Sequence, residues 1–325
     1  MGSSYIGDKS MAISSKKGVL FTLVAIILVL ILILIIFTEN EYRLSNKMSV
    51  IEIRVETIND FIKSVEKDLN RGLYITSFRA LLGIQSYISA NGTFLNDTNA
   101  QFKELLLNGT IKNQKIKAIE NFTFTNWTGR ISDEAEKIDI SANFSIINLT
   151  IYQQDPWSVT VDSLLIIDVR DKRGIARWIR NENVKIKLDI QGFEDPLYTI
   201  NSFNRVINII KKANETDFSV TSNLISHINN SYYIETNSGP DFLMRLEGKT
   251  SNSTYGIESL VNIVKFSNQE LPTYEKSSVD YLYFQSSTAA NCVVNETYQQ
   301  LSWFRLDNGA EPYNHLDNYE VNCLP

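Results

Sequence analysis

Histidine and cysteine are scarce in this chain: His227, His315, Cys292 and Cys323 are all there is in 325 residues. A zinc site needs about four N or S ligands, so the two cysteines would require about two more good ones. They are otherwise free thiols or a disulfide. In an oxidising compartment the expected state is a Cys292–Cys323 bridge, closing a loop of about 32 residues and stabilising the fold by roughly 3–4 kcal/mol. Also missing are a Gly-rich phosphate loop, a zinc motif and a calcium loop. Neither histidine sits in a nucleophile motif. His227 reads as a structural residue beside Ile225 and Ile228, and His315 as a surface-loop residue. Glu194-Asp195 before Pro196 reads as turn capping rather than a glycosidase pair, whose carboxylates must come from separate elements. The sequence therefore nominates no catalytic residue, no metal ligand and no cofactor. A basic excess is lacking too. The net charge is −6 with Lys and Arg scattered, which argues against nucleic acid as a partner.

Charge is entirely absent from one long stretch. Val19 to Thr38 reads VLFTLVAIILVLILILIIFT, without Pro or Gly. As a helix of about 20 residues it spans roughly 30 Å, the thickness of a bilayer's hydrocarbon core. A core helix of a soluble protein is seldom apolar on every face for so long. Lys16 and Lys17 precede the run, with Lys9 upstream; Glu39, Glu41, Arg43 and Lys47 follow it. The positive-inside bias places the N-terminus in the cytoplasm and the rest outside the cell membrane. A cleaved secretory signal is the competing reading. It would have a shorter apolar stretch and a small-residue cleavage site, which Phe37-Thr38-Glu39-Asn40-Glu41 does not offer.

Lys16-Lys17-Gly18 followed by Val19-Leu20-Phe21-Thr22-Leu23 resembles the class III leader of archaeal pilin-like proteins. The resemblance implies cleavage by a prepilin peptidase between Gly18 and Val19, with the apolar helix as the mature N-terminus. Many pilins carry Glu at the fifth mature position, where this chain has Leu23. That departure bears on polymerisation and leaves anchoring untouched. The segments Gly192–Tyr198, Gly256–Leu260 and Ser278–Tyr281 are similar to uncharacterised archaeal surface proteins with the same anchor, a resemblance that implies no activity.

Beyond the anchor, Leu44, Met48, Ile51, Val55, Ile58, Ile62, Val65 and Leu69 recur in alternating steps of four and three, a heptad stripe. Either it packs on the chain's own domain or it mediates self-association or contact with other surface proteins. Gly72 and Gly83 mark bends or close contacts, and Asn91-Gly92 ends the helix. Thr98 to Leu107 is a short helix. From about 138 the period becomes two. Ile138 to Ile151 with a bulge, Trp157 to Val169, and Val184 to Ile190, separated by the turns Gln154-Asp155-Pro156 and Asp171–Gly174, predict an antiparallel meander over 138–191. Helical spacing returns at Phe203–Ile210, Phe242–Leu246 and Ile257–Val264. Val279–Phe284 alternates like a strand, and a late strand is expected at Leu301–Leu306.

The expectation is an α+β fold: an N-terminal transmembrane helix continuing into a long helix, then an antiparallel β-meander with additional short helices. Residues 1–18 form a cytoplasmic leader, 19–38 the transmembrane helix, 39–90 a long amphipathic helix and 91–325 an extracytoplasmic domain. Glycosylation triplets, none with a central Pro, begin at Asn91, Asn96, Asn108, Asn121, Asn126, Asn143, Asn148, Asn214, Asn229, Asn252 and Asn295. That is roughly twice chance, although an Asn-rich chain produces such triplets anyway. The turn sites Asn91, Asn96 and Asn108 are the first expected to carry sugar; Asn143 and Asn148 need an exposed strand face. Three functions follow: a membrane-anchored structural or adhesion protein such as a pilin-like subunit, an anchored binding module for sugars or peptides, and, least favoured, an anchored hydrolase. The partners expected are the lipid bilayer and the contacts of the 44–69 stripe.

Overall fold

The computed structural model describes residues 11–286, 289–294, 301–309 and 314–324. The side chains of residues 11–17, Val19 and 44–46 lie outside that description, and with them those of Lys16, Lys17 and Leu44; so does Asn295. Helix α1 runs from Met11 to Asn91. No Pro or Gly interrupts it between Val19 and Arg71. It stops at Gly92, whose φ of 63° only glycine adopts readily and whose N–H reaches back to the Ile88 carbonyl at 2.8 Å. The chain divides into two compact units, 1–61 and 62–325.

In the first unit, α1 is the one helix among the described residues long and apolar enough to cross a membrane, by length and composition. The large side chains from Leu20 to Phe37 are all exposed.

The second unit opens with residues 62–91 of α1 as its core helix. Ile62, Val65, Leu69, Leu73, Ser77, Leu81, Ile84 and Ile88 are buried at steps of three and four. Both interior glycines mark close contacts. A Cβ on Gly72 would overlap the Trp127 ring, and one on Gly83 would lie 3.0 Å from Leu105. Helix α2, Thr98–Asn108, is capped by Asp97, whose carboxylate accepts from the Ala100 N–H at 2.9 Å, and ends at Gly109 with φ 72°. The small hairpin of β1 (Thr110–Ile111) and β2 (Gln114–Lys115) leads to α3, Phe124–Glu136, capped by Thr123.

Strands β3 (Ile140–Asp155), β4 (Ser158–Asp171) and β5 (Arg177–Asp189) form the expected antiparallel meander, in that order. The register shifts between Ile146 and Asn148, a bulge where the apolar phase switches. One face buries Val159, Val161, Leu165, Ile167 and Val169 with Val184, Ile186 and Leu188. The other carries Asp162, Asp168, Arg170, Lys185 and Lys187. At one border of the sheet, the Ile151 N–H is capped by Asn99 Oδ1 at 2.8 Å. At the other, β5 displays Arg177, Arg180, Lys185 and Lys187.

The remaining residues fold as short pieces around two apolar clusters centred on Phe218, Leu260 and Phe304 and on Tyr198, Val261 and Phe266. In order they are α4 (Pro196–Asn201), α5 (Thr221–Asn230), β6 (Tyr233–Thr236), α6 (Phe242–Leu246) and β7 (Gly256–Ser259). They continue with α7 (Ile263–Ser267), α8 (Asp280–Phe284), β8 (Asn291–Val293), β9 (Arg305–Asp307) and α9 (His315–Asn318). Strands β6–β7 and β8–β9 make two small antiparallel pairs.

Three expectations fail here. Phe203–Ile210 is not helical: Phe203 and Asn204 both take positive φ, and from Ile207 burial alternates in an extended segment bridged to Glu194. Ile257–Val264 is not one helix but β7 followed by α7, and Val279–Phe284 is helical rather than extended. In both, several consecutive residues are buried, so no solvent face exists to impose a period. The late strand is shorter than expected and begins at Arg305.

Candidate functional site

A group of six charged side chains is sealed inside the molecule. Arg245 on α6 donates from Nη1 to Asp195 Oδ2 at 2.6 Å and Asp280 Oδ2 at 2.8 Å, and from Nη2 to the Ile257 carbonyl. Asp195 also caps α4 through the Leu197 N–H at 2.9 Å and accepts from the Tyr233 hydroxyl at 2.8 Å. Ser259 donates its N–H and hydroxyl to Asp280, at 3.1 and 2.8 Å. Nearby, His315 Nδ1 lies 2.7 Å from Asp307 and Nε2 lies 3.1 Å from Glu258, which also accepts from Tyr319. Burial opposes charging His315, but the hydrogen bonds to Asp307 and Glu258 outweigh it and push its pKa up to about 10. Burial raises Asp280. The six charged side chains are 0% exposed. A cluster closed to solvent offers no route to a substrate, so these groups read as the polar framework of the C-terminal folds. His315 is therefore no surface-loop residue. Asp195 is the expected cap and also half of a buried ion pair. His227 is buried among Phe218, Tyr232 and Tyr319, with neither ring nitrogen bonded.

Two features do face outward. The first is the helix after the apolar run. Met48, Ile51 and Val55 of the heptad stripe are exposed, as are Val50 and Ile53. At 100° per residue the two sets lie about 160° apart, on opposite faces. Lys47 and Arg54 share one intervening flank, and Glu52 and Glu56 the other. Further along the stripe, Ile58, Ile62, Val65 and Leu69 are buried.

The second is an open polar groove of about 730 Å³ between Pro156, Tyr255, β6 and the start of α9. It adjoins a lobe of about 480 Å³ toward Trp157, Lys212 and Asn214; the two share Ile234, Glu235 and Asn318. Amides and hydroxyls dominate the lining: Thr236, Asn237, Ser238, Thr254, Asn314 and Asn318. Lys212 Nζ sits 5.2 Å above the Trp157 ring. Tyr233 turns its backbone away from β7, bonding Lys211 and Ala213. By alternation Glu235 faces the same way, and its N–H and C=O have no backbone partner among the described residues. The groove draws on the β3–β4 turn, residues 212–216, β6, residues 254–255 and residues 314–318. Apart from the glycosylation triplets at Asn214 and Asn252, none of these segments carries a motif by itself.

The expected bridge between Cys292 and Cys323 is present. All ten glycosylation asparagines that are described, Asn91 to Asn252, are exposed. Their surroundings differ. The Asn91 amide is bonded to the Tyr87 carbonyl within α1, Thr98 of the Asn96 triplet is buried, and Thr110 of the Asn108 triplet donates to Glu104. Asn143 and Asn148 do lie on an exposed strand face. Gly18 is an exposed residue of α1, its carbonyl accepting from Thr22 Oγ1 at 3.3 Å. No metal-ligand cluster is found among the described residues. No protein family, no curated protein and no solved structure matches the chain.

Proposed function

We propose that this chain is a single-pass, membrane-anchored cell-surface protein of structural or adhesive role, with its N-terminus in the cytoplasm. Copies of it pack side by side through the helix beyond the anchor, in the manner of a pilin-like subunit. The observation that carries this is the pair of opposed apolar faces over 48–55, all exposed in the isolated chain. One partner helix would cover one face only. Neighbours on both sides would cover both, and parallel copies would set the Lys47/Arg54 flank of one against the Glu52/Glu56 flank of the next. Each apolar face then meets the same face of a copy turned half a turn about the helix axis, and two such isologous contacts on opposite sides extend into open rows rather than stopping at a dimer.

Cysteine pairs test this in membranes. Ile51→Cys and Ile53→Cys should each give a dimer on mild oxidation, and the double variant a ladder of higher species. Only monomer from all three would remove the assembly reading. The groove favours a second reading, a monomeric anchored module that binds a ligand in its head. Solitary particles under the electron microscope, with Asn237→Ala or Asn318→Ala reducing capture of sugars or peptides, would favour it.

A further inference from the structure

Two glycosylation triplets stand apart from the other described ones. In Asn214-Glu215-Thr216 and Asn252-Ser253-Thr254, the asparagine and the threonine are exposed, lie outside helix and strand, and make no side-chain hydrogen bond among the described residues. These are the features an acceptor loop needs, because the amide and hydroxyl must both be free to enter a transferase. They lie at opposite ends of the same groove: Asn214 and Thr216 line its lobe, and Thr254 lines its main part.

We propose that the groove is a saccharide site occupied in cis by an N-glycan on Asn214. A membrane transferase joins Asn214 Nδ2 to the anomeric carbon of a glycosyl-phosphate donor; the amide loses a proton and the donor's phosphate leaves with the bonding electrons. The first sugars then lie along Glu235 and Asn318.

The chemistry of the walls selects this ligand. Sugar hydroxyls both donate and accept, and so do the amides of Asn237 and Asn318 and the unpaired N–H and C=O of Glu235. Tyr255 and Trp157 add aromatic surface at the two ends. The Lys212 ammonium over Trp157 is exposed, and contacts of that kind are worth about 0.5–1 kcal/mol, so a sugar ring can displace it. An extended peptide is served less well. β6 leaves one residue unpaired on that edge, which gives two main-chain bonds and no run of side-chain pockets. Tethering also favours the chain's own sugar. A short link gives an effective concentration on the order of millimolar, enough to fill a weak site.

The inference rests on the extracytoplasmic placement proposed above, and the test separates the two. Full-length protein is purified in detergent from a glycosylating host as wild type, Asn214→Gln, Thr216→Ala and Asn252→Gln. Glycopeptide mass spectrometry reads occupancy, and amide hydrogen exchange reads the Glu235 N–H. The expected result is sugar on Asn214 and exchange at Glu235 that is about tenfold faster in both Asn214→Gln and Thr216→Ala, the effect of one lost hydrogen bond. Asn252→Gln should leave it unchanged, because that sugar starts outside the groove. If Asn252 is modified and Asn214 is bare, the inference falls and the placement stands. If every triplet is bare, the placement falls with it. If Asn214 is modified but exchange is the same in all four proteins, the glycan points to solvent and the groove is not its site.

Discussion

Arg245 and Asp195, fifty residues apart in sequence, meet at 2.6 Å with neither side chain exposed. Asp280 completes the arrangement from a third element, so one guanidinium ties α4, α6 and α8 together. Buried charge of this kind is costly to expose singly, because each partner depends on the others for solvation.

Replacing Arg245 with Met leaves two carboxylates buried without their cation and is expected to cost about 3–5 kcal/mol. Lys at 245 cannot reproduce the forked donation to Asp195, Asp280 and the Ile257 carbonyl, so Arg245→Lys should recover only part of that loss. Urea unfolding of the detergent-solubilised protein, read by circular dichroism, checks both. An unchanged midpoint in Arg245→Met would contradict the account.

His315 predicts an alkaline limb. Its folded pKa, about 10, stands above the ordinary 6.5 of an exposed histidine. Its contribution to stability is therefore complete below pH 6.5 and declines as pH rises toward 10. Melting temperature should fall across that window in the wild type. In His315→Gln the same limb should be flatter, from a lower starting point.

His227 predicts the opposite slope. Burial lowers its pKa to about 4, so the folded state holds the neutral ring while the unfolded chain takes up a proton below pH 6.5. Stability is lost as pH falls from 6.5 to 4 and levels off below that. His227→Phe removes two buried nitrogens without partners from a cage of rings. It should match or exceed the wild-type melting temperature at pH 5 and lose this part of the acid dependence.

The Cys292–Cys323 bridge joins β8 to residues near the C-terminus across a sequence separation of 31. Cys292→Ser with Cys323→Ser should lower stability by about 3–4 kcal/mol on the chain-entropy estimate. Reductant should do the same to the wild type and nothing to the double variant, as read by guanidinium midpoints.

The elements legible in the sequence were those with one wet and one dry side. Val184, Ile186 and Leu188 alternate with Lys185 and Lys187, and the strand stands where that pattern puts it. The same holds for the end of α1 at Gly92 and the bulge after Ile146. Where Val279 to Leu282 are all buried, no solvent face marks the period, and the apolar alternation suggests a strand where the chain forms a helix. Arg245 and His315 were illegible for another reason. Their partners lie 50 and 35, and 57 and 8, residues away, on elements that only the folded chain brings together. The groove is hidden likewise, since five separate segments contribute to its walls, and the triplets at 214–216 and 252–254 do not by themselves reveal that they share it.

The two borders of the three-stranded sheet bear on life in a crowd. Proteins held in one membrane meet one another constantly, and an open strand invites a neighbour's strand to add to it. Here Asn99 caps the Ile151 N–H on one rim, and on the other Arg177, Arg180, Lys185 and Lys187 of β5 are held in ion pairs with Asp168, Glu66, Asp162 and Asp155, charge that an added strand would have to desolvate. Both rims thus carry a deterrent to edge-to-edge pairing with an identical sheet.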